Sequence, residues 1–187
     1  MDRKEFLGKT LKSGLGCCAL LALRQDTAAN AAPNPADQPS QMQFEKEFVQ
    51  NWLSDLLETM DAVLDQPTKV KLMEGCGRGC FRRFQFKQDI ANQGKGDLQK
   101  LIAAYKKNFE VWQKGDLVHI RYGEVSSHCY CPAAHYRPAK SHDLHCECTR
   151  TTHQTIFETA LGRPFKVDIL ESLRRGGKTC HFVVHLT

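Results

Sequence analysis

Six cysteines set as three close pairs, Cys76/Cys80, Cys129/Cys131 and Cys146/Cys148, constrain this chain more than any other feature. A fold must either bond those sulfurs to one another or give them something to bind. Two of the pairs are written as near-identical words, His128-Cys129-Tyr130-Cys131 and His145-Cys146-Glu147-Cys148, with 14 residues between the pairs. On an extended backbone alternate side chains share a face, so each C-x-C word presents two sulfurs together, and the intervening length can bring both words to one centre. Four thiolates so placed suit a tetrahedral zinc ion or, as the alternative, an iron-sulfur cluster. The competing reading is three disulfides, which an even set of six cysteines satisfies in an oxidising compartment. A bridge inside a C-x-C word closes a small strained ring, and histidines beside thiols are usual around metals. Those two points favour Cys129, Cys131, Cys146 and Cys148 as metal ligands.

Cys76 and Cys80 lie in a glycine-rich stretch, residues 74–80, and would stack on one face if that stretch is helical. With His128 and His145 they are the additional candidate ligands. They are equally open to roles as a labile dithiol or as a reactive thiol whose pKa the neighbouring Arg78 would lower. Cys180 has apolar neighbours on its strand face and reads as a buried, inert thiol. His119, His153, His181 and His185 read as surface or satisfied polar residues. His135 and His142 fall in a loop over 132–143, where they either line a pocket mouth or are solvated. The basic run at 174–178 reads as a solvated turn, and Trp52 and Trp112 as core.

Apolar periodicity supplies the architecture. Phe44, Phe48, Trp52, Leu56, Met60 and Val63 recur at three- and four-residue spacing, which predicts a long amphipathic helix over 43–64 whose stripe needs a partner. Leu98, Leu101, Ile102, Tyr105 and Phe109 predict a second helix, capped by Asp97. The segment 70–84 is open to being helical, but Gly75, Gly77 and Gly79 weaken that reading. After Gly115 the period becomes two, with Val118, Ile120 and Tyr122 on one face of a strand. A short helix over 151–161, closed by Gly162 and Pro164, precedes a C-terminal hairpin of Phe165, Val167 and Ile169 against Cys180, Phe182, Val184 and Leu186. The expected fold is α+β, with N-terminal helices packed on an antiparallel sheet and a helix and β-hairpin at the end.

Residues 1–13 are basic, 14–23 are a ten-residue apolar run, and Ala29-Asn30-Ala31 offers a cleavage point, so residues 1–31 are expected to be an export signal cut near Ala31. Cys17 and Cys18 would leave with it. Arg3-Lys4-x-Phe6-Leu7 resembles the twin-arginine export motif with Lys in place of the second Arg, and the general secretory route stays open. Residues 32–43 read as a flexible linker and 44–187 as a single cysteine-rich domain. The working protein is then periplasmic or otherwise extracytoplasmic. Of the formal charge of +5, residues 1–31 carry five basic and three acidic groups, and the +3 left is too mild to argue for nucleic acid. No apolar run approaches the roughly 20 residues of a membrane span, so none is expected after cleavage.

Cys146-x-Cys148, the run from Phe157 through Glu158-Thr159-Ala160-Leu161-Gly162-Arg163 to Pro164, a strand ending near Glu171-Ser172, a glycine turn, and Cys180-His181-Phe182 resemble the vinyl-reductase-type small-molecule-binding domain. That superfamily includes sensor domains of aromatic-responsive activators, and the same stretch is similar to L-2-amino-thiazoline-4-carboxylic acid hydrolase-like proteins. The resemblance implies helices and an antiparallel sheet around an apolar pocket, with a cysteine-liganded zinc nearby. It matches Cys148 to a zinc ligand and Cys180 to the cysteine near the domain's end. The paired C-x-C words and Cys76/Cys80 depart from the sensors. With no DNA-binding or ATPase region in these 187 residues, a transcription activator is not expected.

Three functions follow as expectations. The first is an exported, metal-containing small-molecule-binding domain, with zinc as the metal. The second is a hydrolase of C–N bonds in a small cyclic or amide substrate, which needs three ligands plus water, drawing in His128, His145 or Glu147. The third is a disulfide-stabilised structural protein without metal. The expected partner is a small-molecule ligand, and homodimerisation is left open.

Overall fold

The computed structural model describes residues 40–134 and 136–187; the expected export signal and most of the linker lie outside the described residues, as does His135. The described residues form one compact unit. Its helices are α1 (Gln41–Val63), α2 (Gln66–Arg83), α3 (Gln85–Gln93), α4 (Leu98–Tyr105) and α5 (Cys146–Leu161). Its strands are β1 (Glu110–Lys114), β2 (Leu117–Arg121), β3 (Lys166–Glu171) and β4 (His181–His185). The strands form one antiparallel sheet in the order β1-β2-β4-β3, so the fold is α+β with the helices leading and a strand pair closing the chain. No described helix is long and apolar enough to cross a membrane.

The main core lies between one face of the sheet and α3, α4 and α5. Period-two positions Val118, Ile120, Val167, Phe182 and Val184 meet Leu101, Tyr105, Ile156 and Phe157, all almost fully buried. The expected C-terminal hairpin is β3 and β4, which pair Val167 with Val184 and Ile169 with Phe182. Asp97 caps α4 by accepting hydrogen bonds from the Gln99 and Lys100 N–H groups, as expected. Helix α4 stops at Tyr105, and Phe109 packs at the core edge ahead of β1.

The structure resolves one expectation left open and corrects several others. The glycine-rich stretch lies within α2, a full 18-residue helix, because Gly77 is the point where α2 crosses α5. A Cβ there would lie 2.3 Å from the Cys148 carbonyl oxygen, so only glycine permits the approach, and tertiary packing outweighs helix propensity. Helix α5 begins at Cys146, five residues earlier than expected. Trp52 is 59% exposed rather than core. Trp112 is half-buried on the other face of the sheet, stacked on His119 at 4.9 Å. Two short elements, α3 and β1, carry too little periodic apolar sequence to be legible: α3 buries Ile90 and Ala91, and β1 only Val111.

A smaller cluster of Leu57, Met73 and Leu144, flanked by Leu53, Met60 and Val70, joins α1 to the body. Beside it lies a buried charge lattice. Asp143 accepts from Arg137 Nη2 at 2.5 Å and from Arg174 Nη2 at 2.6 Å and Nε at 2.9 Å, while Arg137 Nη1 reaches Asp61 at 3.0 Å. Arg174 also donates to the carbonyl oxygens of Arg137 and Pro138. Arg175 bonds Glu147 at 2.9 Å. The 174–178 run is therefore no simple solvated turn: its first two arginines bind the Arg137 and Pro138 carbonyls, Asp143 and Glu147.

Candidate functional site

Helix α5 carries the second cysteine word in its first turn, and this changes what the word can do. Positions i and i+2 of a helix point about 200° apart, so Cys146 and Cys148 do not share a face as they would on a strand. Cys146 is buried with its Sγ 2.8 Å from Ser172 Oγ, whereas Cys148 lies on the side that meets α2. The arrangement expected of Cys129, Cys131, Cys146 and Cys148 as two extended words is corrected at this point.

A different set of thiols adjoins Cys148. His145 stands at the start of α5, and the Cys148 N–H bonds to its carbonyl oxygen at 3.2 Å, which places the two side chains one turn apart on neighbouring positions. Cys131, from the loop ahead of the 3-10 turn Pro132–Ala134, brings its Sγ to 3.0 Å from His145 Nε2. From α2, Gly77 touches the Cys148 backbone and its carbonyl oxygen accepts from Thr152 Oγ1 at 3.1 Å, so Cys80, one turn further along α2, borders the same region. Charges on Cys80, Cys131 and Cys76 all act on the Cys148 thiol, while those on Cys129 and Cys180 act on Cys146. Cys129 and Cys80 both act on the Cys131 thiol. The seven cysteines among the described residues are all free thiols.

Burial dominates the electrostatics. It pushes the Cys146 and Cys148 thiols up to about 12, and raises Cys131 and Cys180 as well. The dipole at the start of α5 favours negative charge but is outweighed by this desolvation. Burial also lowers His145 to about 4, so its imidazole is neutral at pH 7 and has a lone pair to offer a metal; its Nδ1 is buried without a hydrogen-bond partner. Lys87 is the cation of the site. Its Nζ donates to Cys80 Sγ at 2.7 Å and lies 5.1 Å above the Phe84 ring. Arg78, expected to act on Cys76 and Cys80, is instead paired with Glu158 at 3.1 Å.

As they stand, no three His, Cys, Asp or Glu side chains among the described residues converge tightly enough to hold a metal ion. Thiols and a neutral imidazole are nonetheless the donor types that zinc takes. The other candidate residues fall elsewhere. His128 is exposed and bonded to Ser127, and Glu147 is committed to Arg150 and Arg175. His142 is exposed, and Cys180 is half-buried against the main core. His153 is fully buried between Tyr105 and Tyr122, His119 meets His181 at 3.0 Å, and His185 pairs with Asp168. Sequence reasoning missed Lys87 and Asp143, neither of which sits in a motif; only the fold brings Lys87 to a thiol seven residues away and Asp143 between two arginines.

Comparison with protein-family models and with curated proteins finds no match to this chain in either. The likeness to the vinyl-reductase-type domain therefore rests on the short C-terminal motifs.

Proposed function

We propose that this is a zinc domain of the extracytoplasmic space, with the metal held by Cys80, Cys131 and Cys148 and by His145 as nitrogen donor. The observation that carries the reading is the Cys131 thiol 3.0 Å from His145 Nε2, with Cys148 one turn on in α5 and α2 pressed against the Cys148 carbonyl. Zinc would displace the protons that burial holds on Cys131 and Cys148, and the thiolates so formed would balance the charge of the ion. Relative to the four-cysteine set expected from sequence, Cys80 and His145 take the places of Cys146 and Cys129, and the Lys87 ammonium that donates to Cys80 Sγ would give way to the metal. Cys129 and Cys76 flank the set.

Three thiolates and one imidazole make a closed coordination sphere, which supports a structural or binding role over hydrolysis. The cavity beside His145, lined by Leu57, Asp61, Lys69, Met73, Arg137 and Leu144, measures about 10 Å³, the space of a single water. It lends no support to an organic substrate or ligand at this point.

Elemental analysis of full-length protein, with free-thiol counting, tests the proposal. One zinc per chain is expected, lost in Cys131→Ser and Cys148→Ser and kept in Cys146→Ser and Cys180→Ser. Metal-free protein would reject it. Loss in Cys146→Ser equal to that in Cys148→Ser would restore the set built from the two C-x-C words.

A further inference from the structure

The first three turns of α1 have almost nothing to pack on. Residues 41–49 are all exposed, and Leu57 is the one buried residue of the 23 in the helix. Yet this is a properly started helix, with Ser40 Oγ accepting from the Gln43 N–H. A helical segment of this length is marginal in water unless an apolar face is covered.

The uncovered face is strongly apolar. Met42, Phe44, Phe48, Val49, Trp52 and Leu56 are between 39% and 79% exposed. Phe44, Phe48, Trp52 and Leu56 stand four residues apart, forming one ridge, and Met42, Val49, Leu56 and Val63 stand seven apart, the spacing that keeps a seam against a second helix. A sequence stripe of this kind needs a helix of matching spacing opposite it, and this chain carries one in every copy.

We infer that α1 is the homodimerisation helix, pairing antiparallel with α1 of a second copy across a two-fold axis near Val49. With large side chains of about 150–250 Å² each, the stripe offers on the order of 700 Å² per copy, close to the roughly 800 Å² per partner of a stable interface. An axis at Val49 sets Met42 against Leu56 of the second copy, Glu47 against Asn51 and Asp55 against Gln43, so no like charges are opposed. The inference does not rest on the zinc proposal.

Sedimentation of the full chain at micromolar concentration tests it, with Phe48→Asp as the variant; Phe48 is 62% exposed, so the fold is unaffected and circular dichroism verifies this. A dimer is expected, with the variant's dissociation constant raised about 30-fold or more, the effect of losing an interface hot spot. Trp112→Phe leaves Trp52 as the single tryptophan, whose emission should be shielded from acrylamide in the dimer and exposed in the variant. A dimer indifferent to Phe48→Asp overturns the inference. So does a monomer, whether Trp52 is freely quenched or is shielded by another part of the same chain.

Discussion

His153 shows how a single buried side chain ties stability to pH. Its Nδ1 meets the Tyr105 hydroxyl at 3.2 Å and its Nε2 the Tyr122 hydroxyl at 3.0 Å, so the neutral ring is fully bonded. Burial lowers its pKa to about 3, against about 6.5 in an unfolded chain. Below about pH 6.5 the unfolded state takes up a proton that the folded state refuses, so stability falls as pH falls through the window from about 6.5 to 3, by at most about 1.4 kcal/mol per pH unit. In His153→Gln the urea midpoint should vary less with pH across that window than in the parent; an unchanged slope would place the effect elsewhere. Asp143 acts in a lower window. Burial alone would raise its carboxyl, but the His145 N–H and the Arg137 and Arg174 guanidiniums bring it net below the ordinary range. Its contribution is complete above about pH 4 and lost as pH falls through the lowered value, so it leaves the slope near neutrality untouched.

At the scale of elements, the crossing of α2 and α5 governs both the fold and the thiol cluster. Gly77 and Gly75 lie two residues apart in one helix but have opposite surroundings. A Cβ at Gly77 meets the Cys148 carbonyl oxygen at 2.3 Å and Thr151 Cβ at 2.8 Å, whereas one at Gly75 meets nothing within 4 Å. Gly77→Ala should therefore lower stability by about 1–3 kcal/mol, the cost of overpacking a fixed contact, despite the better helix former. Gly75→Ala should raise it by up to about 1 kcal/mol through helix propensity alone. Thermal melts of the two variants side by side check the contrast. Equal effects would mean that the glycines serve the helix only through backbone entropy.

At the scale of the whole molecule, the sheet core and the cluster beneath α1 are separate: α2 gives Met73 to the cluster, α5 gives Ile156 and Phe157 to the core, and the loop thiol Cys131 meets His145 at the start of α5. On the zinc reading the metal ties these three segments together. Structural zinc is worth on the order of 10 kcal/mol in small domains, so chelation should lower the melting temperature of the parent by more than about 10 °C. Cys148→Ser protein should melt low and be indifferent to chelator. A parent that melts identically with and without chelator would detach stability from metal.

The amphipathic stripe of α1, the Asp97 cap and the alternation in β2, β3 and β4 were legible because they are local: each follows from spacing within one element. By the same local reading the sequence determined the α+β class and pointed to the paired cysteines as the candidate site. It could not determine which cysteines meet, since that depends on whether Cys146 and Cys148 sit on a strand or in the first turn of a helix, and the helix start was extended by packing of α5 against α2. Gly77 reads as a helix breaker until its neighbour is known. Arg174 reads as a solvated turn residue until Asp143 stands opposite it, and Trp52 reads as core until α1 is seen to extend past the body. Those assignments belong to contacts between residues far apart in the chain, where burial and close approach outweigh local propensity, and only the tertiary structure supplies them.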